Sequence, residues 1–393
     1  MTLIKLLTIA TLASIIPGQL LRFSFSSVSA FNLTDIFASI TVVSFYANAF
    51  LTKSLIFPKY TVAAWLFSLS AISSTILALN FFTLPEIANA FLFLVRFIIY
   101  FSFAIVSANT ISKSQIENWI DYLIIIGLVF SILGFVQLLV YPNLSSLEIY
   151  GWDPHVSRLV SSFLDPNFTG GILIIFFALA TTRFLFSKQN KYLLCAIIFA
   201  TAGTLTFSRS TYLGMATATV VIGALRSPKL LLAGAVFSVL TFLFIGQVRQ
   251  RVIGALSVDE TAQARIESWQ KAIVTYSKNP LFGVGFNTYR YYQRDIGYFD
   301  VSNPDGGHSG AGSDSSILLV AATTGTVGLV FYLSLIAASI ASSLKNSKTN
   351  SLKLATTASF CGLLVHSQFV NSLFFPQITI VLWFLLGLSS RQE

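Results

Sequence analysis

Three arginines, Arg158, Arg209 and Arg265, each lie beside or between long apolar segments of the sequence. Arg209 sits in the tight turn Ser208-Arg209-Ser210, so its charge must lie at or inside a membrane surface, where charged groups are costly and usually functional. Any one of them could instead extend to lipid headgroups or pair with a carboxylate. Three on one face together favour a shared anion site, because the guanidinium fork suits bidentate contacts to phosphate.

Asp314 is the candidate base, and it lies in Gly312-Ser313-Asp314-Ser315-Ser316, directly before an apolar segment. One interpretation is that it caps the helix that starts there. A carboxylate in this position can also take a proton from a sugar hydroxyl. Because a free aspartate has a pKa near 3.9, Asp314 would be a weak base unless burial raised its pKa.

Two histidines are further candidates for substrate contact, and they would be the alternative bases if Asp314 only capped a helix. His308 stands alone in the glycine-rich stretch 306–313 and is expected to be solvated. His366 lies near the end of an apolar segment and is expected to be hydrogen-bonded in the core or to line a cavity.

An anion that reaches a membrane surface and suits arginine is the pyrophosphate of a polyprenyl carrier, whose tail lies in lipid. Transfer from such a carrier requires that negative charge on the departing pyrophosphate be stabilised. Metal-dependent enzymes do this with clustered carboxylates that hold the metal. The outer segments contain no Asp-x-Asp pair, and Asp259-Glu260 fits the acidic start of a helix. We therefore expect arginines in place of a metal, and no cofactor.

The elements that must position these residues are apolar segments of bilayer length. Of the 393 residues, 55% are hydrophobic and 10% are charged, whereas a soluble domain carries about 25% charged residues. The net charge of +9 is spread along the chain, which argues against a nucleic-acid site. We predict an all-α, polytopic integral membrane protein that forms one membrane domain over 1–393. Since about 20 apolar residues cross a bilayer, the sequence predicts about twelve transmembrane helices. These are 3–21, 33–52, 60–81, 87–108, 119–141, 168–186, 191–207, 211–225, 229–247, 315–343, 352–370 and 377–389.

Lysine and arginine set the predicted orientation, because cytoplasmic loops collect them. With the N-terminus inside, only Arg22, Arg158 and Arg209 fall in short outer loops. Both termini are then cytoplasmic, and one long extracytoplasmic loop, about 248–314, separates helices 1–9 (about 3–247) from helices 10–12 (about 315–389). The residues assigned to the cytoplasmic side are Lys5, Lys53, Lys59, Lys113, Arg183, Lys188, Lys191, Arg226, Lys229, Lys345, Lys348, Lys353 and Arg391.

The long loop contains a predicted amphipathic helix. Ile266, Trp269, Ile273 and Tyr276 recur at helical spacing. Asp259 and Thr261 are start signals, and Asn279-Pro280 ends the pattern. We expect this helix to rest at the membrane interface.

The arrangement resembles the O-antigen ligase and O-antigen polymerase superfamily of bacterial membrane glycosyltransferases. A family pattern of His, then Asn, Ser or Gln, nine residues, Gly, two residues and Gly is met by Asp314-Ser315, 316–324 and Gly325-Thr326-Val327-Gly328, with Asp in place of His. Similar signatures run from Arg158 to Asn167, through Ser208-Arg209-Ser210, and from Arg265 through Trp269 to Pro280-Leu281-Phe282-Gly283-Val284-Gly285-Phe286. The resemblance covers about 150–335.

The resemblance implies a metal-independent enzyme of the bacterial inner membrane that acts on the extracytoplasmic face. Arg158, Arg209 and Arg265 would hold the undecaprenyl-pyrophosphate of the glycan donor, with Asn167 among the substrate contacts. Asp314 would serve a glycan or lipid-linked glycan acceptor as the base. Aspartate in place of the ligase histidine favours polymerisation of lipid-linked repeats, or transfer to an acceptor other than lipid A-core.

Two alternatives have different sequence signatures. A flippase or secondary transporter of polysaccharide lipids should carry its ionisable residues near the membrane midplane, where we predict only Arg96, which must have a partner. A rhomboid-like serine protease is suggested by Gly307-His308-Ser309-Gly310, but in that family the serine starts a membrane helix. The sequence therefore favours the glycosyltransferase.

Overall fold

The computed structural model describes residues 2–24, 29–50, 55–299 and 312–391, and these residues are almost entirely helical, as the sequence predicts. The two short strands, β1 (Arg22–Ser24) and β2 (Ala30–Asn32), pair antiparallel. The helices are α1 (Thr2–Ala13), α2 (Leu33–Phe50), α3 (Thr61–Leu77), α4 (Leu84–Thr110), α5 (Ile116–Val140), α6 (Pro166–Ser187), α7 (Asn190–Leu205), α8 (Arg209–Leu225), α9 (Lys229–Phe244), α10 (Gly246–Leu256), α11 (Glu260–Lys278), α12 (Tyr289–Asp295), α13 (Ser316–Leu344), α14 (Ser351–His366) and α15 (Pro376–Ser390).

Within the described ranges, six helices, α2 to α6 and α13, are long and apolar enough to cross a membrane. The pair α9 and α10 passes the same test together but is bent by 103° at the break. The helices α1, α7 and α15 are apolar but shorter. Each of the twelve predicted segments contains a helix, but the count of twelve spans and the location of the long loop stay predictions.

The core of the protein is built where α6, α14 and α15 meet. These helices bury most of their residues, and α14 packs against both α6 and α8. By contrast, the described side chains of α9 are all at least partly exposed. The start of α6, the start of α8 and the end of α14 are therefore held by tight packing, and the candidate site lies at these helix ends.

The one deep arginine noted in the sequence has its expected partner. Arg96 on α4 donates from Nε to Asp35 Oδ1 at 2.6 Å and from Nη2 to Asp35 Oδ2 at 2.9 Å. Tyr100 adds a hydroxyl hydrogen bond to the same carboxylate at 2.7 Å. A charge at this depth is tolerated because it is paired and hydrogen-bonded, so Arg96 joins α4 to α2.

The helix that follows Asp314 is broken at Gly325, where φ is +65°. The segment Pro280–Gly285 crosses this break and satisfies its backbone groups: Thr326 N donates to Pro280 O at 2.7 Å, and Gly285 N donates to Thr323 O at 2.9 Å. A Cβ at Gly325 would lie 2.3 Å from the Leu281 backbone. Glycine is therefore required here by both conformation and space. The glycines of the family pattern thus fix the long loop against α13.

Candidate functional site

Asp314 lies just before α13, and it does not cap that helix. The cap is Ser315, whose hydroxyl accepts a hydrogen bond from Leu318 N at 3.3 Å, so the capping interpretation of Asp314 is wrong. The Asp314 carboxylate makes no hydrogen bond or ion pair within the described part of the chain. Burial raises the pKa of Asp314 to about 6; the Arg265 charge opposes that rise, and Asp165 and Asp153 add to it. Asp314 therefore has the properties of a base near neutral pH.

Arg265 projects from α11, whose start at Asp259 and end at Asn279 agree with the sequence prediction. Its half-buried guanidinium forms no hydrogen bond or ion pair to any residue the structure describes. Burial lowers the pKa of Arg265, and the charge of Asp314 works against this. Four residues on, and so on the same side of the helix, the buried indole N–H of Trp269 also lacks a partner among the described residues. This face of α11 presents unsatisfied donors beside Asp314.

Arg158 and Arg251 form a second positive pair. Arg158 donates from Nε to Thr206 O at 2.9 Å, which holds the side chain against the turn before α8. Burial first, and the Arg251 charge second, lower the pKa of Arg158 to about 10. The described residues offer the Arg251 guanidinium no hydrogen bond or ion pair, which leaves its charge available to an anion. Sequence reasoning missed Arg251, which lies on α10 among other polar residues.

Arg209 is not free in the structure. Its Nη1 donates to Asp259 Oδ1 at 2.9 Å, its Nη2 donates to Asp259 Oδ2, and its Nε donates to Arg251 O at 2.8 Å. Each nitrogen of the fork thus has an acceptor. The Arg209 hydrogen bond lowers the pKa of Asp259 to about 2. In this structure a carboxylate occupies the Arg209 guanidinium, and the expectation that Arg209 binds pyrophosphate stays a prediction.

Asn167 and His366 belong to a buried hydrogen-bonded network behind the arginines. The Asn167 amide oxygen accepts from Ser208 Oγ at 2.7 Å. His366 is fully buried and meets Asn167 O at 3.1 Å through Nε2 and Ser372 Oγ at 3.0 Å through Nδ1. Because a carbonyl only accepts, Nε2 carries the proton and Nδ1 accepts from the serine. Of the two expectations for His366, this geometry favours the core histidine over a substrate contact.

His308, with the Gly307-His308-Ser309-Gly310 sequence, lies outside the described residues, so its predicted contact with substrate stays a prediction. A catalytic serine would need a histidine partner, and His366 has both ring nitrogens engaged. Nothing in the described chain therefore connects it to a protease site.

Asp153, His155 and Asp165 form a group that could hold a cation, with one ligand atom each within 4.8 Å of the others. The sequence search for Asp-x-Asp pairs could not find it, because Asp165 comes from the other end of the loop. Asp165 is already engaged: it caps α6 by accepting from Asn167 N at 2.7 Å, and it faces His155 Nε2 at 3.6 Å. Burial alone would raise the pKa of Asp165, but the nearby His155 and the backbone hydrogen bond from Phe168 N lower it. The group is thus partly neutralised by the protein.

A separate cavity of about 190 Å³ lies between α4, α6, α13 and α15. It is lined mainly by aromatic rings, and its charged residue is Arg96. Arg158, Arg209, Arg265 and Asp314 do not line it. It is therefore distinct from the cationic site, although α13 contributes to both.

Together, these features define a multi-pass membrane protein in which Arg265 and Asp314, neither of them bonded through its side chain to another described residue, lie within electrostatic reach of each other and of Arg158. Residues 193–333, roughly a third of the chain, match the family model described as O-antigen ligase. The match includes Arg209, Arg265 and Asp314, supports the O-antigen ligase and polymerase family, and confirms the resemblance seen in the sequence. That family suggests a glycosyltransferase-like enzyme with lipid-linked glycan and acceptor substrates. No curated protein matches the chain.

Proposed function

We propose that this protein transfers a glycan en bloc from undecaprenyl pyrophosphate to a glycan or lipid-linked glycan acceptor. The reaction takes place on the extracytoplasmic face of the bacterial inner membrane. Arg265 and the pair of Arg158 and Arg251 bind the donor pyrophosphate, and Asp314 is the base. No metal takes part.

The chemical step is a displacement at the sugar carbon that is bonded to phosphate. The acceptor hydroxyl oxygen bonds to that carbon as the carbon–oxygen bond to pyrophosphate breaks, and the electron pair leaves with undecaprenyl pyrophosphate. The hydroxyl proton passes to the Asp314 carboxylate. Arginine stabilises the negative charge that grows on the leaving group, which is where preorganised donors accelerate a reaction most.

The observation that carries the proposal is the proximity of two groups that no side chain or backbone group in the described ranges satisfies, the Arg265 guanidinium and the Asp314 carboxylate. Each influences the pKa of the other, yet no hydrogen bond joins them. A cation for the leaving group and a base for the acceptor are the two groups that this displacement needs. The raised pKa of Asp314, about 6, answers the objection that aspartate is too weak a base to replace histidine.

The proposed acceptor follows from the presence of aspartate instead of histidine at position 314. Aspartate stands where ligases carry histidine, and the acceptor side of the site therefore differs from that of a lipid A-core ligase. We propose polymerisation of lipid-linked repeats, in which the acceptor is a second lipid-linked glycan.

The proposal is tested with purified protein in liposomes that contain the lipid-linked glycan fraction extracted from cells lacking this protein. We expect release of undecaprenyl pyrophosphate and the appearance of longer glycans. A flippase or transporter would move the donor across the bilayer without breaking the sugar–phosphate bond. Transport without undecaprenyl pyrophosphate release would overturn the proposal.

A further inference from the structure

Arg22 carries a charge that the proposed donor site does not use. It begins β1, and its guanidinium forms no hydrogen bond or ion pair to any residue the structure describes. It lies against Trp152, with Cζ 5.7 Å from the ring centroid. Burial first, and then the charges of Arg96 and Arg290, lower the pKa of Arg22. Because burial and like charges both disfavour a cation, an anion bound here would be stabilised.

The hairpin of β1 and β2 fixes Arg22 beside the aromatic cavity between α4, α6, α13 and α15. Arg22 pairs in register with Asn32, and Ala30 O on the same strand accepts a hydrogen bond from Arg96 Nη2 at 2.8 Å. Arg96 lines the cavity. Asp35 and Ala30 occupy Nε and Nη2 of Arg96, whereas the donors of Arg22 remain available at this end of the cavity.

The other end of the cavity adjoins the proposed base. Asn371 lines the cavity, and its Oδ1 accepts a hydrogen bond from Ser316 Oγ at 3.2 Å, two residues after Asp314. A Cβ at Gly312, two residues before Asp314, would lie 3.2 Å from Asn371 Nδ2. The cavity therefore extends from the hairpin to the segment that carries Asp314.

The lining of the cavity suits a sugar ring better than a hydrocarbon chain. Aromatic rings dominate it, and the negative face of a ring attracts the polarised C–H groups of a sugar. Among the rings lie the amide of Asn287, which forms no hydrogen bond with a described residue, and Asn371 Nδ2, which donates none to them. Unpaired amides are costly beside hydrocarbon but bond well to hydroxyls. A cavity of roughly 150 Å³ admits benzene, so about 190 Å³ has room for one sugar ring.

We propose that Arg22 and the aromatic cavity form the acceptor subsite: Arg22 binds the pyrophosphate of a second lipid-linked glycan, and the cavity holds the terminal sugar of that glycan beside Asp314. The intervening sugars of a longer repeat lie outside the cavity. This inference rests on the proposed function, because polymerisation brings a second carrier pyrophosphate to the protein while the donor occupies Arg265, Arg158 and Arg251. Arg22 falls on the same predicted outer side as these arginines.

The role of Arg22 is tested with two acceptors, the extracted lipid-linked glycan and labelled glycan released from the same carrier by mild acid. In Arg22→Gln, the concentration of lipid-linked glycan that gives half-maximal elongation should rise roughly tenfold or more, as expected for loss of a hydrogen bond between charged groups. Transfer to the released glycan, which has no pyrophosphate, should stay near the wild-type rate. Equal losses with both acceptors, or no loss with either, overturn the assignment.

A matched control is Arg294→Gln, which removes a nearby surface arginine paired with Glu86 and Asp295. This variant should use both acceptors as the wild type does. Arg22→Lys, which keeps the charge but loses the bidentate fork, should fall between Arg22→Gln and the wild type with the lipid-linked acceptor.

Binding without turnover tests the same subsite independently of the reaction. Undecaprenyl pyrophosphate titrated into phosphatidylcholine liposomes that contain the protein should bind at two sites, of which Arg22→Gln removes one and Arg265→Gln the other. Two sites surviving in Arg22→Gln, or displacement of the carrier from Arg22 by phosphatidylglycerol, would overturn the inference. The sites can be counted even if the wild-type protein transfers no glycan, so failure of the proposed function is distinguishable.

Asn287→Gly tests the occupant of the cavity. Asn287 has a φ of +60°, so glycine keeps the backbone conformation and removes the amide. We expect weaker use of both acceptors and unchanged binding of undecaprenyl pyrophosphate. If the cavity held the hydrocarbon chain of a carrier, the variant would alter that binding and leave transfer to the released glycan unchanged. That result, or unchanged use of both acceptors, would overturn the assignment of the cavity to a sugar.

Discussion

The backbone N–H of Asp314 donates a 3.0 Å hydrogen bond to the hydroxyl of Ser268, which lies one turn beyond Arg265 on α11. The proposed base is thus connected directly to the helix that carries the proposed pyrophosphate ligand. The segment Pro280–Gly285 continues from that helix and crosses the break of α13 at Gly325. The long loop is therefore joined to the start of α13 through the Ser268 hydroxyl and to the break at Gly325 through backbone hydrogen bonds.

Arg265→Lys tests the pyrophosphate contact, because lysine keeps the charge but loses the bidentate fork. Loss of a charged hydrogen bond in the transition state costs about 3 kcal/mol, or roughly a hundredfold in kcat/KM. The measurement is the rate of undecaprenyl pyrophosphate release. Arg294→Lys is the matched control and should stay near the wild-type rate. Wild-type activity in Arg265→Lys would remove Arg265 from the site.

The pH profile tests the state of the base. Asp314 must be deprotonated to accept a proton, and burial raises its pKa to about 6. The rate should therefore fall as the pH drops through about 6, and it should reach its full value above that pH. In Arg265→Gln the residual activity should show this limb at higher pH, because the cation that lowers the pKa of Asp314 is gone. If the acidic limb did not shift in Arg265→Gln, it would report the titration of a group other than Asp314.

Chelation tests the absence of metal from the reaction. We expect turnover to continue in excess chelator, because Asp165 is already bound to backbone N–H groups and faces His155. The decisive comparison uses Asp153→Asn, which weakens the group that could hold a cation. Loss of turnover on chelation, restored by Mg²⁺ or Mn²⁺ in the wild type but not in Asp153→Asn, would replace the arginine account with a metal site.

Cysteine labelling tests the predicted topology. In a chain without Cys195 and Cys361, a cysteine placed in 306–313 should react with an impermeant reagent in intact cells. One placed beside Lys348 should react only after permeabilisation. The Lys/Arg distribution requires this orientation. If the cysteine beside Lys348 were labelled in intact cells and the one in 306–313 were protected, the orientation would be the reverse of the predicted one, and the site would lie on the cytoplasmic side.

The helices were predictable because apolar length and helical spacing are properties of contiguous sequence. The helix from Asp259 to Asn279 is the clearest case, with its start and end given by capping and proline signals. The position of Arg96 in the middle of an apolar segment also predicted that its charge needs a partner, although only the structure identifies that partner as Asp35. The number of membrane spans is harder, since α7 and α15 are apolar but short.

The site was only partly predictable, because its contacts join residues far apart in the chain. Arg209 was expected to be free, but Asp259, 50 residues later, occupies its fork. Asp314 was a possible cap, but its neighbour Ser315 has the geometry to do this. Arg251 had no local signal, since it only becomes important when α10 folds back beside Arg158. Each of these contacts depends on how the chain folds, which the spacing of residue types along the sequence does not reveal.

The most direct test of the account compares donor binding with turnover in Asp314→Asn. Asparagine keeps the shape of the side chain but cannot take the proton, and Ser315 continues to cap α13. We predict that undecaprenyl pyrophosphate in liposomes binds this variant about as tightly as the wild type, while release of the carrier from lipid-linked glycan falls at least a hundredfold, within the range of general-base catalysis, roughly 10²–10⁴. Asp295→Asn, an exposed aspartate on α12, is the control and should keep full turnover. Full turnover in a folded Asp314→Asn protein would contradict the account.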